Sequence, residues 1–119
     1  MRSIRPALLS VLLASSLLVA CSQPSLGDFE GRSFSSVRDF TESVTCSQYF
    51  EVFVDSSGQP PVIQDEDEAV AMATSVLDAS MPRVSSAQRA GDVWLLVDVE
   101  GIVFAAMDSV GDSIGGCLK

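Results

Sequence analysis

The sequence predicts a small α+β domain, two helices packed on a three- to four-stranded antiparallel sheet. Segments whose apolar residues alternate with a period of two stand beside segments with helical spacing. The strand-like runs of the second half follow one another through glycine-containing turns, with no helical crossover between them. A chain of 119 residues with 47% hydrophobic content has the size of one domain.

The chain opens with Arg2 and Arg5, followed by an uncharged run, ALLSVLLASSLLVA, that ends in Ala20 and is followed by Cys21. A basic start, an apolar core of roughly 7–15 residues and small residues ahead of a cleavage point make a secretory signal. As a helix the run reaches about 21 Å, well short of the hydrocarbon core of about 30 Å, so it is not a comfortable permanent span. Leu18, Val19 and Ala20 directly before Cys21 resemble the lipobox of bacterial lipoproteins, over residues 1–21 alone. That resemblance implies cleavage before Cys21, a thioether-linked diacylglycerol on its sulfur and acylation, such as with palmitate, of the new amine. It also implies a place in the cell envelope, on the outer side of the cytoplasmic membrane or in the outer membrane; Ser22 is compatible with the latter. Each buried CH₂ adds about 0.8 kcal/mol, so two or three acyl chains hold firmly where one would not. The competing reading is an ordinary signal peptide cut near the same place.

These boundaries divide the chain into a signal peptide over 1–20, a lipidated N-terminus and spacer over 21–35, and one domain over 36–119. Residues 22–35 (SQPSLGDFEGRSFS) are rich in Ser and Gly without apolar periodicity and read as a flexible spacer. Phe29 and Phe34 interrupt it and either dock on the domain, the favoured reading, or dip into lipid. Ser35 or Ser36 caps a short helix running to about Thr45, with Val37, Phe40 and Val44 on one face.

Residues 48–55 (QYFEVFVD) form the clearest strand of the first half. Phe50, Val52 and Val54 take one side, and Tyr49, Glu51 and Phe53 the other. A turn follows through Asp55-Ser56-Ser57-Gly58 and Pro60-Pro61, with a brief return strand at Val62-Ile63. The acidic run Asp65-Glu66-Asp67-Glu68 reads as a helix start: Asp65 caps, and acids suit the positive end of the helix dipole. A calcium loop would need ligands at alternating positions, a central glycine and a terminal Glu, and that pattern is absent. The helix then runs from Ala69 to Met81 and stops at Pro82.

Residues 83–90 suggest a solvent-washed edge strand, Gly91-Asp92 a turn, and residues 93–99 (VWLLVDV) the strongest strand of the chain. Trp94 is expected in the core or over the sheet. Glu100-Gly101 turns into residues 102–107 (IVFAAM), a further strand or a buried helical turn, with the surrounding glycines favouring the strand. The tail, SVGDSIGGCLK, is glycine-rich and would wander unless Cys117 were tied down.

Removal of residues 1–20 takes away Arg2 and Arg5, so the formal charge of −9 becomes −11. Such a surface argues against nucleic acid as a partner and is repelled by anionic headgroups. It suits a basic protein, a cationic peptide or a divalent cation. With Cys21 assigned to lipid, Cys46 and Cys117 remain as an even pair in an exported chain, which predicts a disulfide. It would close a loop of about 72 residues and contribute roughly 4 kcal/mol in the chain-entropy account. Two free thiols or a metal pair are the alternatives, the latter lacking its usual co-ligands because the chain has no histidine.

That absence also excludes triads of the Ser-His-Asp type. A Ser-Lys dyad would have to use Lys119, the last residue and the single lysine. Asp98, Glu100, Asp108 and Asp112 could supply a carboxylate pair, but they fall where polar faces and turns are expected. Gly111, Gly115 and Gly116 lack the strand and helix that a phosphate loop needs. The expectation is a protein without catalytic residues, cofactor or resident metal, an anchored envelope module that binds a partner. The alternatives are a phage-encoded or defence lipoprotein that blocks DNA entry or acts on competitors, and a small carboxylate-dependent enzyme.

Overall fold

The computed structural model describes residues 24–54 and 62–118. The signal segment with Cys21 and the turn at 55–61 lie outside the described residues. Two α-helices, α1 (Val37–Ser43) and α2 (Glu66–Val76), accompany five strands. These are β1 (Tyr49–Phe53), β2 (Val84–Ala90), β3 (Val93–Asp98), β4 (Val103–Asp108) and β5 (Ser113–Cys117). The sheet order is β1-β5-β4-β3-β2, every neighbouring pair antiparallel. The α+β class therefore holds, with five strands in place of the three or four expected.

The helices lie on opposite faces of this sheet. Trp94 and Leu96 pack with Ala69 and Ala73 of α2, while Val93, Leu95 and Val97 pack with Phe40 of α1. The alternation along β3 is that of any strand, but here both faces are covered. That is why VWLLVD and VFAAMD read as nearly unbroken apolar runs. A register shift opposite Leu96 and Val97 places Phe104 beside Ala105 on the α2 side.

Both helices begin as their sequences dictate. The Ser36 hydroxyl accepts from the Asp39 N–H at 3.0 Å, and the Asp65 carboxylate from the Glu68 N–H at 2.9 Å. Glu68 reaches back to the Gln64 N–H at 3.2 Å, so the acidic run is spent on starting the helix. Helix α2 stops at Val76 rather than Met81. Beyond it, Asp78 accepts from both the backbone N–H and the hydroxyl of Ser80, a local turn that competes with further helix. These bonds hold the Asp78 carboxyl below its ordinary value. No return strand forms at Val62-Ile63; the Ile63 side chain is buried and its N–H donates to the Ser109 carbonyl at 2.8 Å.

The spacer expected over 22–35 is packed from Pro24 onward. A 3-10 turn spans Leu26–Phe29, and the rings of Phe29, Phe34 and Phe40 meet with centroids 5.4 to 6.0 Å apart. Phe29 and Phe34 thus dock on the α1 side of the sheet. The backbone docks with them. The Phe34 N–H donates to the Ala90 carbonyl at 3.1 Å, and the Asp92 N–H to the Phe34 carbonyl at 2.8 Å. Gly91 permits this approach, since a Cβ there would stand 2.7 Å from the Phe34 oxygen.

The glycine-rich tail is the fifth strand, inserted between β1 and β4. A Cβ on Gly116 would collide with the Phe104 carbonyl oxygen, and one on Gly115 would come within 2.7 Å of Val37 Cγ1. Glycine is poor in strands by propensity. Here it is the residue that lets α1 and β4 approach β5. At its end Cys117 is bonded to Cys46, with Cα atoms 5.4 Å apart and a sequence separation of 71. The expected disulfide is present.

Candidate functional site

Among the described residues, strand β1 has a neighbouring strand on one side only, β5. The Leu118 N–H donates to the Gln48 carbonyl and the Val54 N–H to the Asp112 carbonyl, each at 2.9 Å. In an antiparallel ladder, bonded and non-bonded pairs alternate. With Tyr49 opposite Cys117, Glu51 opposite Gly115 and Phe53 opposite Ser113, these odd-numbered residues turn their N–H and C=O groups away from β5. Six backbone groups therefore face the open edge.

The same three residues share the α1 face of the sheet. Their side chains are exposed, Tyr49 by 52% and Phe53 by 72%. Tyr49 is nevertheless fixed, because its hydroxyl donates to the Val44 carbonyl at 2.8 Å. The disulfide fixes the same end of the strand, since Cys46 lies just ahead of β1 and Cys117 directly opposite Tyr49.

Helix α1 stands over β5 and β4 and leaves β1 as a shelf beside it. Between them opens a groove of about 550 Å³ lined by Arg38, Thr41, Glu42, Tyr49, Glu51 and Gly115. One cation and two carboxylates make its lining net acidic. Gly115 keeps its floor free of a side chain. A second recess of about 490 Å³, between Thr74 on α2 and Val84 on β2, holds Leu77, Asp78, Met81 and Arg83.

The opposite edge of the sheet is protected. The Ala87 N–H on the outer side of β2 lies 3.4 Å from the Glu66 carboxylate of α2, and the β2 register shifts between Val84 and Ser86. A bulge and a side chain that occupies an outward N–H both hinder further pairing at an edge.

The other residues singled out in the sequence fall as follows. Trp94 is 6% exposed, with the Arg89 guanidinium 5.6 Å from its ring centre, and so belongs to the core. Its buried Nε1 has no hydrogen-bond partner among the described residues. Asp98 accepts from the Glu100 and Ile102 N–H groups at 2.8 and 3.0 Å, a turn function. Asp108 accepts from the Ser113 hydroxyl at 2.6 Å and is hydrogen-bonded to Asp112. That bond, with some burial and the Asp108 charge, pushes the Asp112 carboxyl above its ordinary value. Neither acid lines the two grooves described. Among the described residues no group of three or more His, Cys, Asp or Glu side chains could hold a metal ion, and no helix is long and apolar enough to cross a membrane.

The sequence showed Tyr49, Glu51 and Phe53 as one side of a strand but not that the side is open. The available signal was the pairing of two aromatics with a carboxylate on one face of an otherwise apolar strand. No family model matches the chain, and neither the curated proteins nor the solved structures contain a match to it.

Proposed function

We propose that this protein is an envelope lipoprotein, anchored by lipid on Cys21, whose domain is a non-catalytic binding or accessory module engaging its partner at β1 and the adjoining groove. The observation that carries the reading is the exposure of Tyr49 and Phe53 on a strand whose edge has no neighbouring strand among the described residues. Burying an aromatic of this size is worth about 1.5–3 kcal/mol, and aromatics held open beside polar groups are typical of contact surfaces. A groove this open, with the Asp108–Asp112 pair outside it, favours binding over carboxylate catalysis.

The test places a photo-crosslinking phenylalanine analogue at Phe53 in the full chain, in the membranes of the producing cell, with Val99 as control. Val99 is 68% exposed but sits in the β3–β4 turn, away from the groove. A reproducible adduct at position 53 and none at 99 is expected; no adduct at 53, or the same adducts at both, overturns the reading. The anchoring is tested separately with an inhibitor of lipoprotein signal peptidase, which should cause the uncleaved form to accumulate. Unchanged processing would remove the lipid from the proposal.

A further inference from the structure

Resting on that reading of β1 as the contact, we infer that the partner binds by adding a strand: an extended segment pairs antiparallel with β1 and places a basic residue opposite Glu51 and apolar residues opposite Tyr49 and Phe53. The two sheet edges differ in what they permit. At β2 a bulge and the Glu66 carboxylate oppose further pairing, whereas β1 is straight in register with β5 over all of its residues. Its outward N–H and C=O groups belong to Tyr49, Glu51 and Phe53, the same residues whose side chains are exposed. Backbone pairing and side-chain contact therefore coincide on one set of positions, as strand addition requires. Antiparallel pairing continues the pattern of the whole sheet.

Charge selects the occupant. Glu51 stands between the two aromatics on β1, and the groove it lines holds Glu42 and Arg38 of α1 as well, two carboxylates against one guanidinium. An opposite charge across from Glu51 is favourable and a like charge unfavourable. A second copy of this chain is the wrong partner for the same reason. Pairing β1 with its own copy about a twofold axis at Glu51 would oppose two glutamates, between domains that each carry a strong negative charge. Shifting the register to avoid this sacrifices part of a strand only five residues long.

The probe is a fluorescent seven-residue peptide with valine at positions two and six, lysine at four and threonine elsewhere, titrated onto the full lipidated chain in zwitterionic nanodiscs. It is expected to bind roughly tenfold more tightly than the same peptide with glutamate at position four, the sum of a favourable and an unfavourable cross-strand pair. N-methylation at positions two, four and six should abolish binding, because those amides face β1; methylation at three and five should not. The Glu51→Lys variant should reverse the lysine–glutamate preference, and Glu51→Pro should abolish binding of both, since that N–H faces outward and leaves the β5 ladder intact. Absence of binding at millimolar peptide, equal affinity for the two peptides, or insensitivity to the methyl pattern overturns the inference. Sedimentation showing a dimer that Glu51→Pro dissociates would overturn it in favour of self-pairing. An adduct at position 53 that persists in Glu51→Pro would sink strand addition while leaving the binding module standing, and the absence of any adduct would sink the module itself.

Discussion

Gly115 lies directly beneath Val37, so close that a Cβ on the glycine would come within 2.7 Å of Val37 Cγ1 and 3.5 Å of Thr41 Cγ2. This contact sets the height of α1 above the sheet, and with it the depth of the groove beside β1. Val37 is 3% exposed and begins a helix of only seven residues, which depends on such packing for its existence.

Gly115→Ala should therefore destabilise the domain by about 1–3 kcal/mol, the usual cost of overpacking. Gly116→Ala should cost more, because the obstacle there is the Phe104 carbonyl, a backbone atom that cannot rotate aside. Thermal unfolding of the two variants checks both the sign and the order.

Removing the disulfide through Cys46→Ala and Cys117→Ala should cost about 4 kcal/mol in the chain-entropy account. Because the bridge ties β1 to β5, hydrogen exchange should quicken first in β1 and α1 and only later in β3. Alkylation of the native protein should modify neither thiol without a reductant.

Phe34→Ala should cost roughly 3–5 kcal/mol, as for any large core truncation. A flexible spacer would show no effect, whereas Phe34 is 4% exposed and touches both Phe29 and Phe40. Chemical denaturation separates the two outcomes.

The Asp108–Asp112 pair makes stability depend on pH. Asp112 has its carboxyl raised in the folded state, chiefly by its hydrogen bond with Asp108. Folding thus takes up a proton in mildly acid solution. The stabilisation this gives is present below the ordinary carboxylate value and is lost as the pH rises through the raised value. Asp112→Asn keeps a hydrogen-bond donor towards Asp108 and removes the repulsion. It should raise stability at neutral pH by less than about 1 kcal/mol, the scale of exposed charge pairs, and the gain should vanish as the solution is acidified through the raised value. Melting temperatures of both proteins across that range provide the check.

Much of the local structure is legible in single residues. Ser36 and Asp65 cap their helices, Gly91-Asp92 and Glu100-Gly101 lie in the turns flanking β3, and Cys46 and Cys117 are joined. What escaped were segments whose state is settled from outside. The β5 strand has two glycines among five residues and no propensity to be a strand. The segment from Pro24 to Ser35 has no periodicity, yet two phenylalanines and a few bonds to the hairpin end order it. Helix α2 ends early, and just beyond it the Asp78 carboxylate takes up the Ser80 backbone N–H in a local turn that competes with further helix.

The α+β class, the helix starts, three of the strands and the alternation that puts Tyr49, Glu51 and Phe53 on one side of β1 are legible in the amino-acid order alone, and β4 is legible as the favoured of two readings. These depend on periodicity, caps and turns, which act over a few residues. Long-range packing places the helices on opposite faces, inserts the tail between β1 and β4, and leaves β1 as an edge among the described residues. Those outcomes depend on which distant surfaces fit closely, the glycines of β5 under Val37 and against Phe104 above all. A free edge is a property of neighbours, and a strand's own residues do not encode who its neighbours are.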